Sequence, residues 1–544
     1  MHRSRIVLMA VMFIVAITAS WLGAATEAVA DDSAISQQIR ARIEQMHDTR
    51  SHALQLRDLT LVEAVSQFYE YRNFKPAWTK PTYIEALFRE LGEVRSDGLD
   101  PEDYHLADLR QRYTLLAVGP HDAVAQAEFD MMASQSYLRA LAHLFRGKVQ
   151  PTTLDAQWNF SLHDITATAA FGVVSAAVDN GDIASAFNEA RPAHDLYKNA
   201  RAALAELRAI DARGGWPTLT TKITLKPGMQ DPQIAVLRQR LAVSGYLPAD
   251  HIASELYDDE LTAAVREFQG EQYLDADGAI GPATRAALNV PIAARIDQVR
   301  VNLERGRWLL HDVVDKAVVV DIAGFKVYFL KDGKPVWQAN VQVGKPYRST
   351  PIFKSNITYV TINPTWTVPP TIFKQDILPK VRRDRGYLAK NNMRVLEPGG
   401  KEIDAAGVNW NSPGNILLRA DAGPENPLGQ VVIRFPNPYA VYLHDTSHKE
   451  LFVNSQRAFS SGCIRVERPL ELVELLFDDA EKWNRTEIEN RIAEGKTRNF
   501  DLVTPVPLLL AYWTFDVTKT HRLAFKPDIY KRDPELLRAL NKPL

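Results

Sequence analysis

The sequence predicts a multidomain α+β protein, and three observations carry that reading. Its 544 residues exceed the ~250–300 at which a single hydrophobic core stops growing. Up to about Thr218 the apolar residues recur three or four apart, as on one face of a helix. From Lys316 onward they alternate with polar ones, as on half-buried strands. A composition 46% hydrophobic and 24% charged is that of an ordinary globular chain. With 64 basic and 66 acidic residues the net charge is −2. No long basic run is present, so no nucleic-acid partner is expected.

Residues 1–30 read as an export signal. His2, Arg3 and Arg5 form a basic start, Ile6 to Leu22 is apolar, and Ala28-Val29-Ala30 supplies small residues before Asp31. The alternative is an uncleaved membrane anchor, since the apolar run is near the lower limit for crossing a bilayer. The expected location is the periplasm, free or anchored to the inner membrane and facing it. No second apolar segment is long enough to span. Val506 to Trp513 is short and interrupted by Pro507, so it reads as a strand.

Residues 31–218 form a helical scaffold. Val124–Leu144, Val173–Ala190 and Ala200–Ile210 all carry the helical period. The cluster Phe68, Tyr69, Tyr71, Phe74 and Trp78 reads as an aromatic core or domain contact. Gly214-Gly215-Trp216-Pro217 punctuates the chain. A three-helix unit follows at 225–291, with an amphipathic run Ile234–Leu241 and a second helix from Asp258. Its third helix restarts at Pro282, a good first helical position. A linker helix occupies 292–312.

Residues 313–530 read as a β-rich domain. Ala317–Ile322 and Lys326–Leu330 flank a turn, and Val336–Val343, Thr358–Ile362 and Thr365–Val368 continue the pattern. A polar, partly helical insertion at 369–408 interrupts it, with a solvated basic face of Lys380, Arg382, Arg383 and Arg385. Strands resume at Ile416–Leu418, Val431–Phe435 and Tyr439–Leu443, the last placing His444 at its end. Residues 531–544 read as a C-terminal tail.

Cys463 is the only cysteine. In an oxidising compartment a lone thiol has no partner in its own chain, which suggests a nucleophile rather than a bridge. His444 could take its proton and return it to a leaving amine. Gly462 permits close backbone approach, so its amide and that of Cys463 could face an oxyanion, with Ser461 supporting the turn. Arg465 would favour the thiolate or hold a substrate carboxylate. Thr446 and Ser460 would brace the loop locally. Tyr442, Trp410 and Trp366 are each substrate contacts or core. Asp445 is a poor orienter for His444, because adjacent strand residues point to opposite faces. His444 and His448 lie four apart but on strand and loop, without further ligands, so no metal is expected.

The segment His444-Asp445-Thr446 followed by Ser461-Gly462-Cys463-Ile464-Arg465 resembles the signature of L,D-transpeptidases with a YkuD-type catalytic domain. Gly423-Pro424-Glu425-Asn426-Pro427-Leu428-Gly429 and Phe435-Pro436-Asn437 resemble the large multidomain branch of that family. Residues 225–291 resemble a peptidoglycan-binding module through Leu237, Leu241, Gly245, Phe268, Gly278, Gly281, Pro282 and Thr284, mostly fold residues, so docking competes with glycan binding. The resemblance implies that Cys463 attacks the carbonyl between residue three and D-alanine of a tetrapeptide stem. D-Alanine leaves, protonated through His444, and a neighbouring stem resolves the thioester into a 3→3 crosslink. It implies a backbone carbonyl holding the histidine tautomer, a lid at the insertion, and no metal or organic cofactor. Donor and acceptor are both peptidoglycan stems. Water, a free D-amino acid or a lipoprotein lysine remain as alternative acceptors, and a noncatalytic wall-binding scaffold as the alternative class. Oligomeric state is left open.

Overall fold

The computed structural model describes residues 32–46, 56–119, 122–155, 158, 167–311 and 314–544. The expected export signal and its Ala28–Ala30 site lie outside them. Among the described residues no helix is long and apolar enough to cross a membrane.

The N-terminal block is helical, from a helix at 32–46 to Asp195–Ala212. Its longest helix, Ala123–Arg146, starts where the Asp122 carboxylate accepts the Val124 amide, the usual satisfaction of an orphan donor at a helix start. That helix buries Phe129, Ala133, Tyr137, Ala140 and Leu144. Phe68, Tyr69 and Trp78 are buried in the same core. Asp130 accepts the Tyr69 hydroxyl at 2.6 Å and the Ala77 and Trp78 amides at 2.9 and 2.7 Å, while Trp78 Nε1 donates to Ser134. These three aromatics are therefore core, their polar atoms internally satisfied. Tyr71 is exposed.

The three-helix unit comprises Pro232–Val243, Asp259–Glu271 and Pro282–Leu288 around Leu237, Leu241, Val265 and Phe268. The Gln269 amide donates to Asp277, Ala279 and Thr284, pinning the turn in which Gly278 adopts φ +78°. The unit is fastened to the C-terminal region. Arg522 pairs with Glu267 and Glu271 and lies 4.7 Å over the Tyr246 ring, and Gln272 donates to Leu523 O.

The β-rich region contains fifteen strands among the described residues: β1 Ala317–Asp321, β2 Lys326–Lys331, β3 Lys334–Gly344, β4 Phe353–Ile362, β5 Trp366–Thr367, β6 Met393–Leu396, β7 Glu402–Ile403, β8 Leu417–Ala420, β9 Val431–Arg434, β10 Leu443–His444, β11 Ala458–Ser460, β12 Ile464–Val466, β13 Arg498–Ala511, β14 Phe515–Val517 and β15 Leu523–Phe525. Nine form one sheet in the order β11-β3-β12-β10-β9-β4-β13-β1-β2. β3 also pairs with β2, so the sheet closes on itself and encloses a core of Val318, Val320, Phe329, Val360, Ile433 and Ile464. The expected strand at Val506 is the end of β13.

Three expectations change. Thr365–Val368 and Ile416–Leu418 do not continue the catalytic sheet. β5 and β8 pair with each other in a separate four-stranded sheet, β5-β8-β6-β7. The insertion thus runs to Ala420 and has its own core of Phe373, Val381, Leu388, Val395, Trp410 and Leu418. Second, the tail is a helix, Asp533–Leu540, that buries Leu536 and Leu540.

Third, the linker helix Ile292–Leu309 is a buried axle. Asn302, Glu304, Arg305 and Arg307 are all buried on it. Glu304 pairs with Arg307 and accepts the Val149 amide at 2.6 Å. Arg307 also donates to Asp97 O at 2.8 Å and the Tyr197 hydroxyl at 2.9 Å. Asn302 and Arg305 reach Thr514 and Asp533 near the C-terminus. Glu304→Ala leaves a guanidinium buried without its counter-ion, a loss of about 3–5 kcal/mol for a broken buried pair. Urea unfolding of this variant is expected to show a midpoint well below wild type; an unchanged midpoint would show that the pair is dispensable.

Candidate active site

β10 and β12 are parallel neighbours, with Leu443 opposite Ile464 and His444 opposite Arg465. Leu443 and Ile464 are fully buried and point into the core. Strand alternation then puts Tyr442, His444, Cys463 and Arg465 on the other face. The Tyr442 and His444 rings meet edge to face, with centroids 5.7 Å apart.

The expected strand Tyr439–Leu443 shrinks to Leu443–His444. Asn437 is the reason. Its Oδ1 accepts the amides of Tyr439 and Val441 and its Nδ2 donates to Phe435 O and Val441 O, so this segment is a side-chain-held turn. Ala440 sits there at φ +53°.

The cysteine loop is braced from several sides. Ser460 Oγ donates to Cys463 O and accepts the Gly462 amide at 3.1 Å. Gly462 takes φ +118°, where a side chain would be strained. Its carbonyl accepts from Thr350 Oγ1 at 2.8 Å, and Tyr530 holds the Thr350 amide at 3.1 Å. The Gly462 amide is thus already used within the loop, contrary to the expected oxyanion role. Ser461 is exposed and accepts from Arg348 Nη1 at 2.9 Å. Arg348 in turn holds Asp376 and Gln375 of the insertion, so one arginine ties the insertion to the residue two before Cys463.

His444 is buried, and its Nδ1–H donates to the Asp445 carbonyl. This is the backbone-held tautomer that the resemblance implied, and it leaves Nε2 to accept a proton. Asp445 faces away: its carboxylate accepts the Gln430 amide at 2.9 Å and packs against Gly429. A Cβ on Gly429, at φ +62°, would fall 2.4 Å from Asp445 Cγ. Thr446 Oγ1 accepts the His448 amide, a local brace. His448 is exposed beside Glu450.

Both reacting groups are held neutral. Burial, assisted by the Arg465 charge, lowers His444 to about 3. Protein crowds the half-exposed Cys463, and burial pushes its thiol up despite hydrogen bonds from Tyr442 and the charges of Arg465 and Arg434. Arg465 does favour the thiolate, as expected, but it is outweighed.

Trp410 is 3% exposed and donates to Ala405 O inside the insertion, which removes it from the substrate contacts. Trp366 instead approaches the Tyr442 side chain. Arg434 was not foreseen. Its guanidinium lies 4.6 Å over the Tyr442 ring, and the Nε atoms of Arg434 and Arg465 are buried without partners. Arg465 is steadied by Gln342 at 3.2 Å. No spacing links Arg434 or Arg348 to Cys463; only the sheet order does.

Residues 315–481 match the family model of the L,D-transpeptidase catalytic domain. The chain carries an L,D-transpeptidase catalytic domain. Residues 230–288 match a peptidoglycan binding domain and residues 63–204 a scaffold domain. A Haemophilus influenzae protein named as an L,D-transpeptidase is 32% identical over 222 residues, 40% of this chain. The chain spans 45% of that relative's length. An L,D-transpeptidase structure from Xylanimonas cellulosilytica aligns at 15% identity over 53% of this chain and 96% of its own, with a TM-score of 0.18. The structure of an Ldtfm–avibactam carbamoyl enzyme aligns at 11% identity over 57% and 98%, with a TM-score of 0.19.

Two titrations follow from the electrostatics of this site. Because burial raises the thiol, alkylation of Cys463 by iodoacetamide should be slower at pH 7 than for an exposed cysteine. It should keep rising beyond pH ~8.5, the ordinary thiol value; a plateau below that value would contradict the geometry. His444 is depressed in the fold, so the unfolded chain binds the extra proton first. Stability from this residue is intact above pH ~6.5 and falls by about 1.4 kcal/mol per unit as pH drops toward 3. His444→Gln should therefore lose less stability than wild type between pH 6 and 4 in parallel unfolding curves; equal losses would refute it.

Proposed function

We propose that this protein is an exported, cysteine-dependent L,D-transpeptidase that forms 3→3 crosslinks between peptidoglycan stem peptides. The observation that supports this most is the register of β10 and β12, with Cys463 level with Tyr442 and two residues short of the Arg465–His444 pair on one sheet face. A noncatalytic scaffold has no need of that juxtaposition.

Thiol and imidazole both begin neutral, so attack and proton transfer go together. Sγ of Cys463 bonds to the carbonyl carbon between stem residue three and D-alanine while its proton passes to His444 Nε2. The Asp445 carbonyl keeps the ring oriented through Nδ1. An imidazolium beside two arginines is a strong acid and protonates the leaving D-alanine amine as the C–N bond breaks. Cys463 remains as a thioester, which retains the acyl energy. An acceptor amine attacks this thioester, His444 takes its proton, and the sulfur departs to recover that proton. Stem peptides end in carboxylates. The free Nε donors of Arg434 and Arg465 suit such a group, and its negative charge would offset the part of the His444 depression that the arginines add to burial. The insertion, tied through Arg348, closes the site against water.

Export rests on the basic, apolar and small-residue pattern of residues 1–30, and wall engagement on the peptidoglycan-binding match. The test is intact-protein mass spectrometry with a carbapenem as acyl donor, followed by tetrapeptide muropeptides. One adduct is expected on the peptide containing Cys463, none in Cys463→Ala, and dimers joined between third residues with release of D-alanine. An adduct persisting in folded Cys463→Ala would overturn the mechanism.

A further inference from the structure

A second concave site lies apart from Cys463, on the outer face of the sheet where β4, β13, β1, β2 and β3 run side by side. It is a cleft of about 1560 Å³, larger than the ~300–1,000 Å³ that suits one small molecule. The size points to an extended ligand.

Its floor is set by strand register. Lys354 pairs with Leu509, Leu509 with Val319, Val319 with Tyr328, and Tyr328 with Gln338. At about 4.8 Å per strand this row crosses some ~19 Å of sheet. One wall is Tyr273, Leu274 and Asp275, from the region matching a peptidoglycan binding domain. Tyr273 is held there by packing on Phe325, with ring centroids 6.4 Å apart. Trp513 and the start of the helix Asp195–Ala212 complete the enclosure. The C-terminal hairpin is locked to the floor by Lys526, buried between Asp321 at 2.6 Å and Asp516 at 3.4 Å.

The chemistry of the lining selects a class of ligand. Six basic side chains face six acidic ones, so the cleft has no net charge to attract an anion or a nucleic acid. The rest combines aliphatic side chains such as Leu309, Val319 and Leu509 with a set of aromatics and amides, Tyr328, Tyr273 and Trp513 beside Gln338, Asn356 and Asn454. Flat aromatic faces cover the C–H faces of sugar rings, and amides both donate to and accept from hydroxyls. That combination fits a neutral polysaccharide.

The cleft also leads toward the nucleophile. Asn340 lines it, and Gln342, two residues on along the same face of β3, holds Arg465. Two residues of strand are about 7 Å. We infer that this cleft binds a glycan strand of peptidoglycan, so that the strand lies along the sheet while its stem peptide reaches Cys463. The delivery of the stem rests on the transpeptidase reading above; the binding of the glycan does not.

The experiment is calorimetric binding of uncharged β-1,4-linked N-acetylglucosamine oligosaccharides to the full chain, with Tyr328→Ala and Gln338→Ala compared and folding checked by circular dichroism. These oligosaccharides share the glycan backbone but lack the carboxylate that muramyl residues expose once their stems are removed. Wild type should bind, Tyr328→Ala should weaken binding at least tenfold, and Gln338→Ala severalfold. Gln338 is exposed and lies outside every core, so its variant keeps the test decisive if Tyr328→Ala fails to fold. Absence of wild-type binding, or wild-type affinity in the folded variants, would overturn the proposal. Carbapenem acylation of wild type is scored separately: if it fails while glycan binds, the transpeptidase reading falls and the cleft stands.

Discussion

The architecture hangs on one buried ion pair, Glu304 with Arg307. Both side chains are fully inaccessible and one helical turn apart. Desolvating two charges is unfavourable unless every remaining donor and acceptor is satisfied. Here satisfaction comes from other parts of the chain: the Val149 amide, the Asp97 carbonyl and the Tyr197 hydroxyl. The pair is therefore complete only when scaffold and linker helix meet in one arrangement. The same helix reaches the C-terminal segment through Asn302 and Arg305. A polar network of this kind specifies geometry in a way an oily interface does not.

That geometry carries through to the sheet face that bears Cys463 and His444, where both residues are braced by hydrogen bonds. Cys463 is held by its own loop, Ser460 on one side and Thr350 with Tyr530 on another. His444 is held by the carbonyl of the next residue. The site keeps both groups uncharged and places two arginines near them, so in the proposed mechanism charge separation during attack would be favoured chiefly when an anionic substrate is present.

Much of this was legible in the sequence, for identifiable reasons. Helical periodicity and strand alternation are local properties, and they located the scaffold, the three-helix unit and the β-rich region. The Cys463 and His444 motifs are short and ordered, so they too could be read. What was missed depends on contacts distant along the chain. Trp410 and Trp366 look alike as residues, yet the small sheet buries one and leaves the other beside Tyr442. Arg434 and Arg348 become neighbours of Cys463 only through strand order. The Gly462 amide was expected to be free because the Ser460 side chain that occupies it could not be oriented from sequence. The linker helix read as a connector because its buried residues are polar, and their partners lie a hundred or more positions away.

The insertion between Trp366 and Ala420 has its own sheet and its own apolar core. Its movement as a unit would leave that core intact and break the ties at Arg348 and the approach of Trp366 to Tyr442. With that core kept closed, such a movement exposes far less apolar surface than unfolding the insertion would, and heat capacity tracks apolar exposure. The opening equilibrium would then carry a nearly constant enthalpy across the growth range of an organism. Access to the nucleophile would respond to temperature gently, unlike the folding of the domains around it.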